Sequence, residues 1–202
     1  MRHKAICINR LCGSGGHIIG EMAAKELGIG YYDKNLLELA LDYGEISSSK
    51  KYHSVDEKAT NPAFYRLQYE GNDKVDKGKP ANETLFQLQR DYMKEIVAKE
   101  DCVLIGRCAD FVLANEDVDM LSVLVVAPLE ERVAHLQQTD NLNARQATAQ
   151  AKKIDKRRGD YYNYFTKRNW KNWDHYDLIL NSATLGYDTC VKLLIDYYKN
   201  IL

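Results

Sequence analysis

The sequence predicts an α/β fold with a central parallel five-stranded sheet flanked by helices. Short apolar runs of strand length recur along the chain, and segments with apolar residues at helical spacing fill the intervals. Strands alternating with helices are joined by right-handed βαβ crossovers, which makes the sheet parallel. A glycine-rich turn directly after the first apolar run adds the loop on which such sheets hold anions.

In chain order, the first strand is expected over 5–8, and the turn Asn9-Arg10-Leu11-Cys12-Gly13-Ser14-Gly15-Gly16-His17 leads from it into a helix over 16–27. A strand over 29–32 ends at Asp33, which precedes a helix over 34–43 as a candidate N-cap. From 47 to 81 the periodicity is lost in a polar stretch, and so long an insertion in a compact domain is usually a lid or a disordered segment. It is read as a flexible acceptor flap with a short helix around 64–69. A helix over 82–99, a strand over 102–105 and a strand over 121–126 follow, and Pro128 suits the first turn of a helix over 129–138. A helix over 143–160 or beyond, a strand over 177–180 and a helix over 187–201 complete the order, with 143–170 as a helical lid region.

At 202 residues, with 45% hydrophobic content, the chain fits one domain over 1–202 and needs neither metal nor disulfide to fold. Lys+Arg of 28 against Asp+Glu of 29 argues against a nucleic-acid partner. No stretch approaches the roughly 18 apolar residues of a membrane span, so a cytoplasmic protein is expected. Its five cysteines, Cys7, Cys12, Cys102, Cys108 and Cys190, contain no C-x-x-C pair, which speaks for reduced thiols and against a protein cage for metal. The aromatic series Tyr161, Tyr162, Tyr164, Phe165, Trp170 and Trp173 packs either on the domain's own helices, the favoured reading, or in a homodimer surface.

Ligands of open α/β sheets bind beyond the carboxyl ends of the strands. Glycines in the first turn permit a tight cradle, and the helix start contributes N–H groups and the positive end of its dipole. The phosphate-binding candidates are therefore Cys12, Gly13, Ser14, Gly15, Gly16 and His17. The Walker A pattern G-x-x-x-x-G-K-[ST] would require glycine at Arg10, lysine at Gly16 and serine or threonine at His17, so its cation and its hydroxyl are missing. Arg10, at the end of the first strand, is the candidate substitute cation, and His17 either bonds phosphate or is an exposed first-turn residue.

Six segments resemble the cytidylate kinase-like proteins of the P-loop nucleoside-monophosphate kinase group. They are the Gly-Ser-Gly-Gly loop with Ile19-Gly20, Tyr31-Tyr32-Asp33-Lys34, Val103-Leu104-Ile105-Gly106-Arg107-Cys108-Ala109-Asp110, Ala127-Pro128-Leu129-Glu130-Glu131-Arg132, the block from Lys152 through Arg157-Arg158 to Tyr161-Tyr162, and Tyr176-Asp177-Leu178-Ile179-Leu180-Asn181-Ser182. The resemblance implies a three-layer P-loop NTPase fold with a lid and a flap, and transfer of a phosphoryl group from ATP with Mg²⁺ to CMP or a related monophosphate. Gly106-Arg107 match the family's Gly-Arg-Asp motif, with Cys108 at its aspartate, and make Arg107 an acceptor-phosphate residue. Asp33 and Asn181 take acceptor positions, Asn181 in place of the family's aspartate. Asp110 assists magnesium or the acceptor, or is a solvated side chain. Arg157 and Arg158 resemble the lid arginines that close over the transferring group, Arg157 aligning best; a solvated basic face is the other reading. Arg132 and Arg145 are weaker candidates. An enzyme and a binding relative that has lost transfer both remain open, as does a kinase with a different acceptor.

Overall fold

The computed structural model describes residues 2–46, 50–59 and 80–200. At its centre is β1 (His3–Arg10), parallel to β3 (Cys102–Ile105) on one side, with Ile6 opposite Val103, and to β4 (Val118–Val126) on the other, with Ile8 opposite Val123. The strands β2 (Gly30–Tyr32) and β5 (Leu178–Asn181) complete a parallel sheet of order β2-β3-β1-β4-β5. The five strands fall on the five predicted apolar runs, with β1 and β4 longer at their ends than predicted.

Side chains alternate across a strand, so β1 feeds two cores. Ile6 and Ile8 point to the face covered by α1 (Gly16–Leu27) and α9 (Tyr187–Asn200), where Ile19, Ala23, Val191 and Leu194 are buried. Ala5 and Cys7 point to the opposite face, packed by α2 (Asn35–Tyr43), α4 (Ala81–Val97) and α5 (Ala109–Leu113) through Leu36, Met93, Ile96 and Leu113. Helices on both faces explain why these strands read as continuous apolar runs. A short helix, α3 (Lys50–Val55), joins α2 and α4 through Tyr52, which packs with Leu37, Leu41 and Leu85. The helix expected around 64–69 lies outside the described residues.

Beyond the carboxyl edge, α6 (Leu129–Asp140) and α7 (Ala144–Thr166) form a hairpin whose Leu136, Ala147 and Ala151 pack on Cys12 of the glycine loop. A capping box between Asn143 and Gln146 starts α7, and the helix continues beyond 160, as the open-ended prediction allowed, to Thr166, with Tyr161 and Tyr162 anchoring it against Cys108 and Trp170. The aromatic series thus packs largely on its own domain; Trp173, in the 3-10 turn Trp173–His175, is exposed. Two caps differ from expectation. Pro128 is the N-cap of α6 rather than a first-turn residue, and Lys34, not Asp33, is the N-cap of α2. Asp33 is drawn elsewhere by arginines. All five cysteines are free and buried, and no helix among the described residues is long and apolar enough to cross a membrane.

Candidate active site

The glycine loop is held in shape from below and from the side. Gly13 and Gly15 adopt φ of +80° and +74°, and a β-carbon at Gly15 would lie 2.3 Å from Cζ of Tyr187. Ser14 Oγ lies 2.8 Å from the Leu11 carbonyl and 3.1 Å from that of Val125, and Ser182 Oγ donates to the Ser14 carbonyl at 2.7 Å. The Asp155 carboxylate of α7 accepts from the Cys12 N–H at 2.7 Å and pairs with Arg132 Nη1, also at 2.7 Å, while Arg132 donates to the carbonyls of Ala127 and Cys12. Cys12 and Ser14 are therefore loop scaffold rather than phosphate ligands, because their polar groups are already taken. The first-turn N–H groups of Gly16, His17 and Ile18 have no acceptor within α1, which leaves them as the loop's open donors. Burial lowers the His17 pKa; Asp33 opposes and Arg10 reinforces the shift, so the imidazole is neutral at pH 7.

Beside this cradle three guanidinium groups converge. Arg10 ends β1, Arg158 reaches in from α7 and donates through Nη1 to the Arg10 carbonyl at 3.2 Å, and Arg107 follows β3. Gly106, Arg107 and Cys108 all have positive φ, and left-handed backbone at non-glycine residues costs about 1–3 kcal/mol each. That turn folds Arg107 back over its strand, where Nη1 donates to the Ile105 carbonyl at 3.3 Å.

Three carboxylates answer them. Arg107 grips Asp56 in a fork, Nη2 to Oδ2 at 2.7 Å and Nε to Oδ1 at 3.3 Å, with Asp33 Oδ1 3.5 Å from Nη1. Glu57 Oε1 accepts from Arg10 Nη1 at 3.0 Å, and its Oε2 lies 3.5 Å from Arg158 Nε. Asp33 Oδ1 is also 3.8 Å from Arg10 Nη2. Burial alone would raise the Glu57 pKa, but Arg10, Arg158 and Arg107 together hold it well below the usual carboxylate range. Burial opposes the charge on Arg107 as well, yet Asp56, Glu57 and Asp33 raise its pKa. Arg158 is pushed down to about 10 by burial and by repulsion from Arg10, with Glu57 opposing, and stays cationic at neutral pH.

The expected residues separate on this geometry. Arg10, Arg107, Arg158 and Asp33 meet in one crevice flanked by Gly16 and His17. Arg157, the expected lid arginine, lies outside it: neighbours on a helix are about 100° apart, and Arg157 faces a groove of about 1070 Å³ with Lys58, Lys153 and Tyr164. Asp110 is neither solvated nor open to a ligand. It is buried, accepts from the Tyr162 hydroxyl at 2.6 Å and from Asn9 Nδ2 at 3.0 Å, and burial raises its pKa despite those bonds. Asn181 stands at the β5 edge, across the sheet from β2 and β3, and its side chain accepts from Thr184 N to start the short helix α8 (Ser182–Leu185). It is not an acceptor neighbour of Arg107. Arg132 braces the loop, and Arg145 is exposed in the first turn of α7.

The sequence matches the cytidylate kinase-like family over residues 5–184. The chain belongs to that family. No functionally curated protein is similar to it at a significant level. Among solved structures, this cytidylate kinase-like chain is similar to an uncharacterized protein from Eubacterium ventriosum, at 21% identity and a TM-score of 0.74, over 98% of this chain and 99% of that one. It also shares its fold with the APS kinase of Mycobacterium tuberculosis (14% identity, TM-score 0.55, 98% and 99% covered) and the shikimate kinase of Bacteroides thetaiotaomicron (13%, 0.53, 97% and 98%). Its fold is that of the P-loop kinases.

Three site residues of this kinase-like chain escape the sequence reading: Asp155, Asp56 and Glu57. For the lid, a usable signal exists. Ala147, Ala151, Ile154, Arg158 and Tyr161 follow the i, i+4, i+7 spacing of one buried helix stripe, which puts Arg158, and not Arg157, against the domain. Asp56 and Glu57 lie in the aperiodic polar stretch, where nothing in the pattern sets them apart from their charged neighbours.

Proposed function

We propose that the protein transfers the terminal phosphoryl group of ATP to the phosphate of a small acceptor, most simply CMP or a related nucleoside monophosphate. The observation that carries this reading is the convergence of Arg10, Arg107 and Arg158, from β1, the β3 turn and the lid helix, on one crevice at the first turn of α1. Phosphoryl transfer asks the protein mainly for positioning and for positive charge where the transferring group passes. Arg107 is suited to grip the acceptor phosphate as a bidentate fork, as it now grips Asp56. The N–H groups of Gly16, His17 and Ile18 are suited to the donor phosphates, and Arg10 and Arg158 stand between the two positions. An acceptor phosphate oxygen is already ionised at neutral pH, so the attack in line with the departing diphosphate oxygen needs no general base.

The fit of ATP rests on the cradle, whose close packing around Gly13, Gly15 and Gly16 leaves no space for a β-carbon. Magnesium would supply charge neutralisation on the donor phosphates. Among the described residues no group of three His, Cys, Asp or Glu side chains could hold it, and the Walker hydroxyl position is His17, so it would arrive with the nucleotide. With five free buried cysteines, this kinase activity would belong to the cytoplasm.

The test is a coupled assay with ATP and Mg²⁺ across CMP, dCMP, UMP, AMP and GMP, beside the Arg107→Ala variant. Acceptor-dependent ADP formation that disappears in the variant supports the kinase and names its substrate. Folded protein that is silent across the panel favours a phosphate-binding relative without turnover, the reading supported by the missing lysine.

A further inference from the structure

We propose that Glu57, with Asp56 beside it, is a tethered competitor anion that determines which ligands enter the arginine crevice: a phosphate dianion displaces the pair, whereas a monoanionic carboxylate does not. This rests on the reading of the crevice as a phosphate site. The two carboxylates now make the contacts a phosphate would make, Glu57 between Arg10 and Arg158 and Asp56 in the fork of Arg107.

They also fill the space. The cavity lined by Arg10, Glu57, Gly106, Arg107 and Arg158 is about 10 Å³, and a single water needs roughly that much. A phosphoryl group therefore enters only when the carboxylates leave.

Charge decides which ligand can make them leave. The crevice holds Arg10, Arg107 and Arg158 against Asp33, Asp56 and Glu57, three positive groups against three negative ones. With Asp56 and Glu57 withdrawn, Asp33 alone remains, and the net charge of +2 is balanced by a phosphate monoester, which is close to dianionic at neutral pH. A monoanion would leave one buried guanidinium charge uncompensated, an outcome that low-dielectric surroundings penalise. Arg10 Nε, buried and without a hydrogen-bond partner among the described residues, is one donor that the carboxylates leave unused and an incoming anion with more oxygens could take.

The tether is built to release and return. Glu57 sits at φ +52°, two residues beyond the end of the six-residue α3, where Asp56 N donates to the Tyr52 carbonyl at 3.1 Å, Lys58 N to the Val55 carbonyl at 3.0 Å, Gln89 Nε2 to Asp56 Oδ1 at 3.0 Å and Asn82 Nδ2 to the Lys58 carbonyl at 3.3 Å. Tyr52 stays packed with Leu37, Leu41 and Leu85, so displaced carboxylates would remain nearby at the millimolar effective concentration of a short tether.

The experiment is hydrogen exchange on the full chain with inorganic phosphate, and with acetate as the monoanion, together with phosphate affinity of the wild type and of Glu57→Gln. The expected result is faster exchange at the amides of residues 55–58 with phosphate and none with acetate, and phosphate binding about tenfold tighter in E57Q than in the wild type. Exchange at 55–58 that slows or does not change with phosphate, or that quickens equally with acetate, overturns the proposal, as does E57Q affinity equal to or weaker than wild type. If E57Q does not fold, the wild-type exchange result decides. Neither readout involves a donor nucleotide or turnover, so a silent kinase panel leaves this result standing, and an active panel does not rescue it.

Discussion

The β-carbon of Arg10 lies 2.5 Å from where a β-carbon at Gly16 would begin, closer than two such atoms approach in a folded protein. The arginine that ends β1 and the glycine at the Walker lysine position are thus sterically linked: with Arg10 on the strand, the helix start has no room for a side chain at Gly16. Gly16→Lys should therefore not rebuild a Walker lysine. It should destabilise by about 1–3 kcal/mol, the ordinary cost of overpacking, and lower the melting temperature by several degrees in calorimetry. In a double-mutant cycle Arg10→Ala, which keeps its β-carbon, should show no favourable coupling with Gly16→Lys, whereas Arg10→Gly should, each against the separate cost of losing the Glu57 partner.

Arg107 is buried within a strained turn and its fork holds Asp56, so on the proposed function one side chain serves both acceptor binding and stability. Arg107→Ala should lose about 3 kcal/mol in urea titration, the lower end for a broken buried pair because Asp56 retains 20% side-chain exposure. Arg107→Lys should recover part of that stability but little acceptor affinity, since an ammonium cannot match two oxygens at once. Equal acceptor binding by the lysine variant and the wild type would argue that the fork is not used.

The strands and the glycine loop were legible because each carries a local pattern: Ala5 to Ile8 and Cys102 to Ile105 are buried on both faces and read as unbroken apolar runs, and the loop needs glycine where φ is positive. Arg107 was legible as an arginine directly after a buried strand. The sequence names Arg157 and Arg158 together as lid arginines but ranks Arg157 first, because the two differ only in helix phase, which is fixed by contacts at Ala147, Ala151 and Tyr161. Asp110 and Asn181 illustrate a different limit. Their strand-end positions were read correctly, but whether a side chain faces ligand or is consumed by neighbours depends on Tyr162, Asn9 and Thr184, which lie far along the chain or on a short helix with no signature of its own. Asp56 and Glu57 gave no signal at all, because their role is set by three arginines from distant segments.

Asp155 joins the lid helix to the loop through the Cys12 N–H and Arg132, both at 2.7 Å. Asp155→Ala leaves the Arg132 guanidinium buried without its carboxylate and frees one loop N–H, which should cost about 2–3 kcal/mol. If the loop holds the donor nucleotide, the same variant should raise KM for ATP more than it lowers kcat, because the arginines of the transfer step are untouched. Asp155→Asn, which keeps one acceptor oxygen for Cys12, should fall between the two. A loss confined to kcat would instead assign Asp155 to the transfer step.

Acid should destabilise the fold through Glu57, which the arginines keep ionised in the folded crevice. The Glu57 pKa is lowered in the folded protein, so its contribution to stability is fully present above the ordinary carboxylate pKa of about 4.3 and declines as pH falls from there toward the folded value. Below that point the unfolded chain binds a proton that the folded crevice refuses, and stability must drop with pH. Melting temperatures of the wild type from pH 7 to pH 3 should fall most steeply beneath pH 4.5, roughly the upper edge of carboxylate titration. Glu57→Gln has no proton to take up, so it should begin less stable at pH 7 because Arg10 and Arg158 lose their charged partner, and its acid slope should be shallower. Parallel slopes for the two proteins would mean that Glu57 is not held ionised by the arginines, and that the acid response arises elsewhere, as at Asp101, whose carboxylate accepts from His3 and Lys4 N–H.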